Sequence, residues 1–209
     1  MMKKTAIAVA LLAASAGAFA QFADADDASD GNWMVRLRGV HLNSANKDST
    51  NPNLNLSISN KWLPEVDLTY FFTPNVAVEG VLTWPQKHTV YSAGAPIGSL
   101  KELPPTLMLQ YHFTDISGGA IKPYLGVGIN YTRFSSVNIA NGAYGVKRSS
   151  VGMALQAGVD FAVTKGFSLN LDVKKVWINT DVMNASTGMD QGTFKVDPVL
   201  FGVGFGYRF

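Results

Sequence analysis

The chain has 209 residues, 47% of them hydrophobic and only 15% charged, with a formal net charge of +2 and no cysteine. Disulfides, thiolate metal sites and cysteine nucleophiles are thereby excluded, and no block of Lys or Arg offers a surface for nucleic acid. After the first residues no apolar run reaches the roughly 20 residues of a transmembrane helix, while 20 Gly, 12 Phe and 7 Tyr favour strands and turns.

Residues 1–20 divide into a basic start (Lys3, Lys4), an apolar middle and the small-residue end Ala18-Phe19-Ala20. That is the pattern of a cleaved secretory signal peptide. Its removal takes away two lysines and no acid, so the formal charge of what is exported falls to zero. Residues 21–32, acidic over 24–30, read as a flexible periplasmic arm.

From Trp33 the side chains alternate with period two, which sends successive residues to opposite faces of a strand. In the first segment Trp33, Val35 and Leu37 oppose Arg36 and Arg38; in the second Trp62, Val66, Leu68 and Tyr70 oppose Leu63, Glu65, Asp67 and Thr69. The third sets Val76, Val78 and Leu82 against Glu79 and Thr83, and the fourth Leu107, Leu109 and Tyr111 against Thr106, Gln110 and His112. In the fifth, Leu125, Val127, Ile129 and Tyr131 oppose Gly126, Gly128 and Asn130. The sixth alternates most sharply, with Val151, Met153, Leu155, Val159 and Phe161 against Gly152, Gln156 and Asp160. The seventh opposes Leu169, Leu171 and Val173 to Asn170, Asp172 and Lys174, and the eighth opposes Phe201, Val203, Phe205, Tyr207 and Phe209 to three glycines and Arg208.

Long links (43–60, 89–103, 135–149, 180–194) and short ones (73–75, 114–120, 163–166) alternate strictly between these segments. An even strand number with short periplasmic turns and longer outer loops predicts an all-β fold over 33–209, an eight-stranded antiparallel transmembrane β-barrel. Trp33, Trp62, Tyr70, Phe72, Trp84, Tyr111, Phe113 and Trp177 fall near segment ends, where interfacial girdles lie. The charges decide which face meets lipid. Arg36, Arg38, Glu65, Asp67, Glu79, Asp160 and Asp172 share one face, and they must pair or reach water, since an isolated buried ion is prohibitive. They are expected to form a polar plug in the lumen.

Several runs resemble the outer membrane protein W (OmpW) family: Leu103-Pro104-Pro105-Thr106-Leu107-Met108, the stretch from Pro123 to Tyr131 with its Gly-Ile-Asn-Tyr, and the end from Asp197-Pro198 to Tyr207-Arg208-Phe209. The resemblance covers nearly the whole exported chain. It implies a barrel with a narrow apolar outer funnel that takes up small hydrophobic molecules and releases them sideways into the membrane. It also implies that Tyr207 and Phe209 resemble the signal read by the barrel assembly machinery. Pro85, Pro104 and Pro105 give the lateral route a physical basis, because each removes a ladder N–H near the outer rim of two adjacent strands. Leu63, Val81, Leu100, Leu103 and Met108 are the expected apolar path. Lys174 stands where the family can place a large aromatic, which leaves room for amphiphilic or anionic substrates.

The expected partners are outer-membrane lipid and lipopolysaccharide, small hydrophobic molecules and the assembly machinery. His41, His88 and His112 sit on different segments, outside any nucleophile elbow, His-Glu-x-x-His run or close metal spacing, so neither catalysis nor a metal or cofactor is expected. The competing reading is a structural or receptor barrel whose outer loops bind phage, bacteriocins or host surfaces.

Overall fold

The computed structural model describes residues 31–114 and 116–209; the expected signal peptide over 1–20, and the expected arm up to residue 30, lie outside the described residues. Among the described residues the strands run, in chain order, β1 (Trp33–Asn43), β2 (Lys47–Thr50), β3 (Leu56–Ile58), β4 (Lys61–Phe71), β5 (Val76–Thr83), β6 (Gln86–Ser92), β7 (Ala95–Leu103) and β8 (Thr106–His112). They continue with β9 (Ile121–Ile139), β10 (Tyr144–Val146), β11 (Ser149–Ala162), β12 (Phe167–Val176), β13 (Asn179–Asn184), β14 (Asp190–Lys195) and β15 (Val199–Arg208).

The strands β1, β4, β5, β8, β9, β11, β12 and β15 pair antiparallel with their neighbours in that order, and β15 returns to β1 through a ladder from Met34↔Arg208 to Asn43↔Val199. An eight-stranded antiparallel barrel is thus closed, as the alternating segments predict. The usual distribution of polarity is inverted. Val151, Ile129 and Phe205 are 73%, 62% and 66% exposed on the outer wall, whereas Arg36, Asp67 and Glu79 are wholly buried inside. Aromatic pairs stack along the lower rim, with Trp33 against Tyr70 at 4.8 Å and Tyr111 against Phe113 at 5.1 Å, both edge to face.

The short links turn tightly at that lower end. Val163 donates its N–H to Phe167 at 2.9 Å, and Gly166 supplies the positive φ of +75° that the turn requires. At the other end the long links carry the sheet onward. β9 extends to Ile139 and pairs with β7 and β10; β10 pairs with β13, β13 with β14, β14 with β2, and β6 joins β7 to β3. These segments make an upper tier around the same axis. Its seam, between β2 and β3, is closed by side chains: Asp48 accepts from the N–H of Leu56 at 2.7 Å and Asn46 from that of Ile58 at 2.9 Å.

The tier has its own apolar core. Val90, Leu100, Phe134, Ile139, Ile178, Val182 and Phe194 pack into one buried cluster that reaches down to Val81 and Met108. Loops that would otherwise bury no apolar surface are thereby held in place.

Candidate functional site

The inward charges meet in mid-barrel. Arg36 lies 2.8 Å from Glu79 and 2.7 Å from Asp160, and also donates to Thr69 at 3.0 Å. Arg38, two residues on and therefore on the same face, reaches Asp67 at 2.7 Å, Glu79 at 2.9 Å and Asp172 at 3.0 Å. Lys174 pairs with Glu65 at 2.5 Å. Gln156 donates to Glu79 at 3.0 Å and to Asp172 at 2.8 Å, and the Tyr124 hydroxyl donates to Asp172 at 2.8 Å. All seven expected plug residues are brought together, and Lys174 joins them.

Room for the two arginines comes from β15. Arg36 and Arg38 lie directly across from Gly206 and Gly204. A Cβ on Gly206 would stand 2.8 Å from Ser168 Oγ and 3.4 Å from Arg36 Cγ, and one on Gly202 would stand 3.4 Å from Arg38 Cδ. Below the plug His112 stacks on Tyr124 at 4.9 Å, and Met34, Phe71 and Ala77 form a small apolar floor.

Directly above the plug is a cavity. Leu42, Leu63, Val81, Val176, Ile178 and Leu200 form apolar walls; Glu65 and Lys174 lie at its base; Thr83, Gln86, Glu102, Thr106 and Asn130 add polar groups. Its free space is about 30 Å³, room for a water or two but not for a hydrocarbon. Thr83 Oγ1 and Glu102 Oε2, both buried, make no hydrogen bond among the described residues. The other Glu102 oxygen faces His88 Nε2 at 3.2 Å, while His88 Nδ1 lies 3.0 Å from the Ser59 carbonyl.

The wall is incomplete on one side. The β5–β8 ladder ends at Val81↔Thr106, and pairing resumes only at Gln86↔Glu102 between β6 and β7. Pro85, Pro104 and Pro105 lie within the interruption. The carbonyls of Pro104 and Pro105 turn toward β9, accepting from the Asn130 amide at 3.2 and 3.3 Å, and Pro105 accepts from the Tyr131 N–H at 3.0 Å. The interruption is a window, closed above by the β6–β7 hairpin, rather than a slot open to the rim.

Of the expected apolar path, Leu63 and Val81 line the cavity, while Leu100 and Met108 lie in the adjoining core. Leu103 is a correction. It is half-buried, pairs with Arg133 on β9 and does not line the cavity; the inward residue at that level is Glu102. Lys174 requires a second correction: its ammonium is neutralised by Glu65 and, at 3.6 Å, by Asp172, so it offers no free cation to an anionic substrate. Lys175 points outward without a bulge, its ammonium donating to the Asp197 carbonyl and lying 5.9 Å from the Trp177 ring. At the chain end Phe209 is exposed, whereas Tyr207 is covered by Phe167 at 4.6 Å.

Sequence reasoning missed the cavity's polar residues Gln86 and Glu102 and the pairing of Glu102 with His88; Glu102 lies in the link 89–103, and Gln86 and His88 lie between the third segment and that link. Their signal was the continued alternation of Gln86, His88 and Val90, and of Leu100 and Glu102, on either side of a short turn.

Comparison with known proteins supports the architecture. The pattern described as the OmpW family matches residues 30–209. An uncharacterized outer-membrane protein, y4mB, of Sinorhizobium fredii is 41% identical over 184 residues, covering 85% of this chain and 80% of that protein. The dibenzothiophene metabolism operon protein PahQ of Pseudomonas aeruginosa is 25% identical over 189 residues, covering 87% and 83%. Among solved structures, the outer membrane protein OprG from Pseudomonas aeruginosa superposes with a TM-score of 0.73 at 26% identity, covering 86% of this chain and 96% of OprG.

Proposed function

The chain belongs to the OmpW family of the outer membrane, and from that premise we propose that it is a channel for small hydrophobic or amphiphilic molecules. They enter from the extracellular end, pass through the apolar upper lumen and leave laterally into the membrane.

The observation that carries this reading is the cavity's position, with apolar walls above, a charged plug beneath and an interrupted ladder beside it. An apolar molecule cannot continue downward without parting paired buried ions to which it offers no polar contact in return, a costly exchange. The break at Pro85, Pro104 and Pro105 leads instead from the cavity to lipid. Because the free space is only about 30 Å³, passage requires the upper tier to widen. Thr83 Oγ1 and Glu102 Oε2 favour molecules that bring a hydroxyl or amine donor with their apolar part. The relative named for a dibenzothiophene metabolism operon is in keeping with an apolar cargo. The same reading takes Tyr207 and Phe209 as the signal for the barrel assembly machinery.

The test is entry of an apolar fluorescent tracer into liposomes with and without the refolded barrel. Faster entry with the barrel, slowed severalfold by Val81→Trp, is the expected result; equal rates for empty and barrel-containing liposomes overturn it. A receptor barrel is the second reading, favoured by the ordering of the long links into a fixed outer tier. Adhesion or phage binding that survives Val81→Trp unchanged, with no tracer entry, would select it.

A further inference from the structure

Above the lipid-facing band, the outward face of three adjacent strands carries cations without an acid. Lys87 on β6 lies directly across from Lys101 on β7, and Lys101 lies across from Ser135 on β9. One step below in that face, Arg133 on β9 pairs with Leu103. The side chains of Lys87, Lys101 and Arg133 are all exposed, and none is within ion-pair distance of a carboxylate among the described residues. The nearest acid in sequence, Glu102, is turned inward to His88. The pair next above, Thr89↔Ser99, contributes only hydroxyls.

Like charges set directly opposite on neighbouring strands repel, and cross-strand pairs normally avoid them. Here lysine faces lysine with a third cation close by. Strands about 4.8 Å apart, with about 6.8 Å per two residues along each, place the Lys101 side-chain origin about 5 Å from that of Lys87 and about 8 Å from that of Arg133, with Lys87 and Arg133 about 12 Å apart, within reach of one another's long side chains. That spacing suits one phosphate, whose oxygens accept from two ammonium groups and a guanidinium at once. No carboxylate among the described residues relieves the repulsion, which leaves the three cations open to an external anion.

Depth identifies the anion. Arg133 follows Tyr131 by two residues and Ile129 by four, and both of those are at least 50% exposed on the outer wall. On the neighbouring side Trp84, 63% exposed, precedes Lys87 by three residues. The cations therefore begin one step beyond the apolar band and its aromatic border, on the side of the long links, which in such barrels faces outward. Headgroup phosphates of the outer leaflet lie at that level.

We propose that Lys87, Lys101 and Arg133 form a binding site for a phosphate of outer-leaflet lipopolysaccharide. The lipid's acyl chains then lie along Trp84, Ile129 and Tyr131, and its phosphate neutralises the three cations.

The test uses the full chain refolded in phospholipid nanodiscs, with folding checked by the mobility shift of the unboiled barrel. Retention of intact lipopolysaccharide is measured for the wild type, for K87Q/K101Q/R133Q and for K87R/K101R. Each cation removed should weaken retention about fivefold, so the triple variant should fall by roughly 100-fold while K87R/K101R, which keeps the charge, stays near wild type. Chemically dephosphorylated lipopolysaccharide should be held no better by the wild type than by the triple variant. Equal retention of intact lipid by the wild type and the triple variant overturns the proposal. So does retention of the dephosphorylated lipid by the wild type as strong as that of the intact lipid, and so does displacement by millimolar inorganic phosphate, which would make the site one for free anion rather than lipid.

Discussion

Below Lys174 the lumen is filled by side chains that meet as ions, with Arg36 and Arg38 among Asp67, Glu79, Asp160 and Asp172. Above it, residues from the long links, such as Val90, Phe134, Ile178 and Phe194, meet as hydrocarbon. The same closed ladder surrounds the lower filling, yet the two fillings respond to damage differently. An ion pair is directional, and removal of one partner strands the other in a dry interior. Apolar packing is not directional, so a lost methyl group leaves a void that neighbours can partly collapse into. The lower half is suited to be a seal and the upper half to be deformed.

The sharpest way to break this contrast is Arg38→Met, which leaves Asp67, Glu79 and Asp172 without their shared cation. A loss of about 3–5 kcal/mol is expected, read as a lowered urea midpoint in lipid vesicles, with tracer entry no faster. A loss no greater than that of an outer-wall control would mean that the plug does not hold the lower half together. In the upper half, Ile178→Ala should cost less, about 2–4 kcal/mol, but should speed tracer entry because Ile178 lines the cavity. Entry slower than wild type would show that cavity volume is not what limits passage. The smallest effect is expected for Glu65→Leu combined with Lys174→Met. Replacing both members of the buried pair by hydrocarbon should change stability by no more than about 1 kcal/mol. A much larger loss in the double variant would place Lys174 among the structural ions rather than at the boundary between the halves.

How much of this was legible depended on where partners lie along the chain. The eight barrel strands were readable because each carries its own evidence, an apolar residue at every second position. The prolines were readable too, since a missing N–H is a property of the residue itself. The neutralisation of Lys174 was not, because its partner Glu65 is 109 residues away and meets it only across the closed lumen. Leu103 does not share the inner face with Leu100, because residues three apart on one strand point to opposite sides. The β6–β7 hairpin escaped notice because its turn, Ala93-Gly94, has only one glycine, yet both residues adopt the positive φ that a tight hairpin requires, 48° and 84°. Length alone marks that stretch as a loop.

The glycines facing the arginines carry a final consequence. The plug takes its shape from a mould cast partly in absent side chains, since Gly206 and Gly202 leave open volume beside the side chains of Arg36 and Arg38. Residues on β1 and β15 are therefore bound into one inheritance. A lineage that gains a methyl group on β15 must shorten its partner on β1, so glycine there and arginine opposite should be lost together or kept together.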